Sequence, residues 1–176
     1  MERSLILGCL LFISACQTPP TAEESFLRGN VLFDSGDPQG AISAYTEAIE
    51  LRPRYARALN NRGLAHAELK QYGFAIADYD DCLALPDAPA EAHYNRGIAC
   101  FHLGRKGEAV VDFTEALKLN PQYVKALVGR GLVFSAGGDR DSALSDFRRA
   151  LEISPPDWSE RKSVEAEIAR LSEPPK

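Results

Sequence analysis

An Arg-Gly pair recurs every 34 residues, at Arg28-Gly29, Arg62-Gly63, Arg96-Gly97 and Arg130-Gly131. In each copy an Ala follows the Gly by twelve residues (Ala41, Ala75, Ala109, Ala143) and an aromatic comes four later (Tyr45, Tyr79, Phe113, Phe147). A small residue stands three further on (Ala48, Cys82, Ala116, Ala150), and Pro53, Pro121 and Pro155 close three of the four copies. A fixed period of this length means a stack of like supersecondary units, none of which buries its apolar face alone. Gly29 and Ala41 lack bulk where two helices approach, while Tyr45 and Leu51 fall at helical spacing on one apolar face. Gly36-Asp37-Pro38 combines a helix stop, an N-cap oxygen and a Pro preset for a first turn; Gly138-Asp139 repeats the first two parts.

These residues resemble the tetratricopeptide repeat, a pair of antiparallel helices with small residues at their contact and a Pro in the closing turn. The resemblance implies an all-α fold: an α-solenoid of four tandem helix-turn-helix repeats at 22–55, 56–89, 90–123 and 124–157. Repeat 2 departs at the closing position, where Asp87 stands between Pro86 and Pro89, so its turn is expected to be reshaped while the array continues. Trp158, Val164, Ile168 and Leu171 form one apolar stripe among Glu160, Arg161, Lys162, Glu165 and Glu167. That stripe predicts a capping helix over 158–172, followed by a loose tail at 173–176.

At the other end Arg3 precedes an apolar run from Leu5 to Ile13, which leads into Ile13-Ser14-Ala15-Cys16. The run is too short to span a bilayer and has the length of a signal-peptide core. The segment looks like a bacterial lipoprotein signal with its lipobox. That resemblance implies cleavage after Ala15, a covalent lipid on Cys16, and a short tether over 16–24. Gln17 rather than Asp after the Cys implies the periplasmic face of the outer membrane in a two-membrane cell.

The net charge of −5 and the lack of a basic stripe argue against nucleic acid, which needs clustered cations to displace counterions. His66, His93 and His102 fall at unrelated repeat positions without a paired ligand spacing, so no metal site is expected. No nucleophile elbow, phosphate loop or acid-base constellation is present, which disfavours an enzyme, and no cofactor beyond the lipid on Cys16 is implied. Cys9 leaves with the signal; Cys82 and Cys100 occupy core positions, where free thiols are the ordinary state and a bridge is the alternative.

Asp78, Asp112 and Asp146 lie sixteen residues after Arg62, Arg96 and Arg130, which suggests an ion pair inside each of these repeats and leaves Arg28 opposite Ala44 without one. In the tetratricopeptide family the first helix of each repeat lines a concave groove. The matching positions here are Phe26, Asn30, Phe33, Asn60, Leu64, Tyr94, Ile98, Phe101, His102, Val128 and Leu132, with Arg57, Glu91 and Lys125 toward one edge. Such a surface suits an amphipathic helix or an extended peptide, although periodicity alone does not separate groove from interior. Some members of the family hold a chaperone's terminal carboxylate with two Lys, two Asn and an Arg. The matching positions here are Phe26, Asn30, Asn61, Glu91 and Asn95, so only the two Asn agree and the cations are missing. The whole resembles a membrane-tethered scaffold or assembly factor of the pilus or secretion type. An adaptor for peptidoglycan hydrolases or synthases is the alternative, and a glycan-binding accessory a weaker one.

Overall fold

A computed structural model describes residues 19–173; the Cys16 lipobox and the end of the tail lie outside them. Among the described residues the chain is all helical, with α1 (Ala22–Asp34), α2 (Pro38–Leu51), α3 (Ala56–Glu68), α4 (Tyr72–Leu83), α5 (Ala90–His102), α6 (Lys106–Leu119), α7 (Val124–Gly137), α8 (Arg140–Ile153) and α9 (Arg161–Ser172). Successive helices pack in antiparallel hairpins, α1 with α2 through α7 with α8, and each hairpin packs on the next. No helix among the described residues is long and apolar enough to cross a membrane.

Local chemistry sets the boundaries. Thr21 caps α1 in a reciprocal box with Glu24, and Asp37 caps α2 through the Gly40 amide, with Pro38 at the first helical position. Asp139 does the same for α8, just after Gly138 ends α7 in the left-handed conformation. The left-handed position recurs once per repeat as Gly36, Lys70, Gly104 and Gly138, so Lys70 adopts φ 57° where the other three copies have glycine. The closing turn of repeat 2 is indeed rebuilt: α4 ends at Leu83, and α5 begins only after Pro89.

The repeated glycines mark the closest approach between paired helices. A Cβ on Gly63 would lie 2.6 Å from the Tyr79 ring, and one on Gly131 would lie 2.7 Å from that of Phe147. The aromatic of each second helix therefore sits flat against the first helix, with Ala41, Ala75, Ala109 and Ala143 fully buried beside it. Leu51 departs from its expected place in the core and is half exposed.

The capping helix starts three residues later than the stripe suggests, at Arg161, because Trp158 lies in the preceding turn. Trp158, Val164, Ile168 and Leu171 nevertheless all pack on the Ala143 and Phe147 cluster. Val164 is 34 residues beyond Arg130, so α9 continues the register of a first helix and closes the stack with an aliphatic residue in the Arg position.

Candidate functional site: the inner face of the array

First helices of successive repeats touch, α1 on α3, α3 on α5 and α5 on α7, and no comparable packing joins the second helices to one another. The first helices therefore line the inner side of the curve. Two cavities open there, and they differ in chemistry.

The first holds about 470 Å³ over repeats 1 to 3 and is lined by Asn30, Phe33, Asn60 and Leu64, among others, with Asp34, Arg57 and Glu91 around it. Its floor is a chain of amides from Asn30, Asn60 and Asn61, which Asn95 extends beyond the cavity lining. Asn95 donates to Asn60 at 3.1 Å, Asn60 to Asn61 at 3.1 Å, and Asn61 to Asn30 at 3.0 Å. The Tyr45 hydroxyl also donates to Asn30, at 2.8 Å, and burial pushes its pKa upward. Side-chain amides carry both donors and acceptors, so such a floor can meet either kind of peptide backbone group. The second cavity, about 290 Å³, is bounded by Tyr94, Ile98, Val128, Leu132 and Trp158, with Lys125 and Glu160 at its rim.

Several expected groove residues are partly or wholly interior, and Phe101 and His102 line neither cavity. Phe26 contributes an edge to the first cavity but is buried, its ring 5.9 Å from Tyr45 and 5.1 Å from Tyr55, with the Arg57 guanidinium above it at 4.7 Å. Phe101 packs into the cluster around Phe113, and Val128 lies partly against Phe147. His102 is exposed but stacks on Tyr72 at 4.6 Å, outside both cavities. Tyr94 is half buried against Phe113 and Tyr123. Asp34, Pro89, Trp158 and Glu160 line the cavities without having been singled out; the last two belong to the closing segment, whose stripe signalled only capping.

The repeated arginines lie between first and second helices. Nε and Nη2 of Arg62 fork onto Asp78, those of Arg96 onto Asp112, and those of Arg130 onto Asp146. Each Nη1 reaches sixteen residues back, to Thr46, Asp80 and Thr114 respectively, so every arginine also ties its repeat to the one before. The hydrogen bonds that Arg96 and Arg130 donate to Asp112 and Asp146 raise the pKa values of both arginines further above the ordinary arginine range. Arg28 is not left alone as expected: it pairs with Glu47, a residue off the sixteen-residue spacing. His93 adds an Nδ1 contact to Asp112 at 3.3 Å, and no cluster of three metal-ligating groups occurs among the described residues.

Profiles described as tetratricopeptide repeat match residues 56–88, 90–123 and 108–157, and one described as TPR repeat matches 29–70. Residues 29–157 are tetratricopeptide repeats. Hsp70-Hsp90 organizing protein 1 of Arabidopsis thaliana is 47% identical over 57 residues, 32% of this chain and 10% of that protein. Human serine/threonine-protein phosphatase 5 is 40% identical over 57 residues, 32% of this chain and 11% of its own length. The chain thus spans about a tenth of the length of these curated relatives. Among solved structures, MamA matches with TM-score 0.72 and 25% identity over 81% of this chain and 80% of its own. The first tetratricopeptide domain of Spaghetti (RPAP3), bound to the HSP90 peptide SRMEEVD, matches with TM-score 0.65 and 28% identity over 66% and 93%. At the clamp positions this chain has an interior ring at Phe26, a carboxylate at Glu91, and an amide at Asn95 that is bound to Asn60.

Proposed function

We propose that this tetratricopeptide array is a membrane-anchored scaffold of the bacterial envelope that docks a segment of a protein client along its inner face and carries out no chemistry itself. The observation that supports this most is the amide floor of Asn30, Asn60 and Asn61, together with an apolar cavity of side-chain size at Tyr94 and Leu132 on the same inner face. Asp34 and Glu91 outnumber Arg57 around the polar cavity, so a neutral or basic segment suits it better than an acidic terminus such as that of SRMEEVD. In this reading Cys16 carries the lipid, the array sits at the periplasmic face of the outer membrane, and the clients are subunits of a pilus or secretion assembly. Recruitment of peptidoglycan hydrolases or synthases would use the same face.

The test is photo-crosslinking in cells from Leu132, 40% exposed, and from Phe33 in the other cavity. Tyr94 is a poor site for the probe, because its ring is wedged between Phe113 and Tyr123. Capture of pilus or secretion subunits is the expected result. Wall enzymes in their place would establish the adaptor, glycan the accessory, and no capture from either site would move binding off the inner face.

A further inference from the structure

The C-terminal end of the stack is covered by α9, with Val164 only 3% exposed, but the outward face of α1 has no covering element among the described residues. It presents Leu27 at 51% exposure and Val31 at 68%. The residues equivalent to Val31 in later repeats are Ala65, Ala99 and Val133, all buried in clusters that include the preceding repeat. A face that is packed three times in the array is thus open once, and there it carries larger apolar side chains than Ala65 and Ala99.

We propose that a lipid bilayer surface covers this end, with Leu27 and Val31 seated at the headgroup level. The proposal rests on Cys16 as the lipid anchor. Cys16 is six residues before Ala22, a reach of at most about 20 Å even when fully extended. Leu27 and Val31 lie about 8 and 14 Å further along α1, so the tether holds this face, rather than the closed end, beside the membrane. Apolar helix faces settle about 5–10 Å into that boundary. The nearby carboxylates are largely engaged within the protein: Glu23 accepts from the Tyr55 hydroxyl, Glu24 from Thr21, and Glu47 from Ser25 and Arg28. Among these bonds only that from Arg28 brings a compensating cation, so the seating of Leu27 and Val31 rests on apolar burial and works against anionic lipid.

The experiment uses the full lipidated protein with Val31→Cys carrying a bimane, in vesicles of phosphatidylethanolamine and phosphatidylglycerol with lipid brominated near the headgroup. Labelling is selective because Cys82 and Cys100 are buried, and burial pushes both thiols up to about 11. Bromine should quench the probe at position 31 about twofold, and leave unquenched one placed by Leu103→Cys at the end of α5. Co-flotation with the vesicles without quenching at 31 would overturn the proposal while leaving the anchor intact. In that case shielding of the probe from aqueous iodide would assign the face to a second copy or another chain. Failure to co-float, with Cys16→Ser behaving like the parent, would instead remove the anchor on which the proposal stands.

Discussion

Repeat 1 and the repeats behind it share one register but bury different things. In repeats 2 to 4 the arginine fork closes on a carboxylate whose side chain is at most 8% exposed, whereas Arg28 and Glu47 meet in the open at 52% and 36%. The face of α1 equivalent to a buried seam is bare, while at the far end α9 covers the last repeat, with Val164 buried against Ala143 and Phe147. An identical spacing therefore carries an inter-repeat tie in the interior and only a surface contact at the edge. What a repeated residue does depends on whether a neighbour stands on both sides of it.

The largest contrast is expected at the arginines. Arg96→Leu leaves the buried Asp112 carboxylate with only His93 beside it and should cost about 3 kcal/mol, whereas Arg28→Leu should cost under about 0.5 kcal/mol. Urea unfolding of both variants checks this, and equal costs would mean that burial of the fork is not what separates the repeats. The folded Arg96→Leu protein should still capture its client, since the fork lines neither inner cavity. Next come the two ends: Val164→Ala removes packing from the Phe147 cluster and should cost about 2 kcal/mol, against a change within about 0.5 kcal/mol for Val31→Ala measured without membrane. A large loss at Val31 in detergent-free solution would show that protein already covers the edge.

A smaller effect separates the two tyrosines. The Tyr45 hydroxyl meets Asn30, but the residue 34 positions on from Asn30 is Leu64, and the fully buried Tyr79 hydroxyl finds no partner among the described residues. Burial raises the Tyr79 pKa well above the ordinary phenol range. Tyr45→Phe should cost about 1 kcal/mol, while Tyr79→Phe should be neutral or stabilising, since it discards an unpaired polar atom. Repeats 3 and 4 already carry Phe113 and Phe147 there, opposite Ile98 and Leu132.

That pairing could be read along the sequence at the 34-residue period, as could the helix order, the caps at Asp37 and Asp139, and the closing stripe. The backward reach of the arginines was equally legible, for Thr46, Asp80 and Thr114 all stand sixteen residues before an arginine of the next repeat. The division of the inner face was not. One residue turns a helix by about 100°, so Phe26, Phe101 and Val128 lie near the border between rim and interior, and neighbours in other repeats decide their side. Phe26 is interior because the Tyr55 ring, 29 residues on, closes over it. The amide floor links Asn30 to Asn61 and Asn60 to Asn95, across separations of 31 and 35 residues that no single helix pattern displays.

The smallest expected change is a gain. Lys70 holds φ 57° between helices α3 and α4, and the other three repeats place Gly36, Gly104 and Gly138 there with φ between 75° and 84°. A Cβ in this conformation crowds the following carbonyl at a cost of about 1–2 kcal/mol, part of which glycine returns through its greater freedom in the unfolded chain. Lys70→Gly should therefore raise stability by under about 1 kcal/mol, seen as a higher urea midpoint at unchanged slope. The reciprocal Gly104→Lys should lower it by a similar amount, since a Cβ at Gly104 would meet nothing within 4 Å and only the backbone conformation resists it. If Lys70→Gly stabilises and Gly104→Lys does not destabilise, the lysine must be disfavoured by its side chain in repeat 2, and the turn conformation would not be the cause.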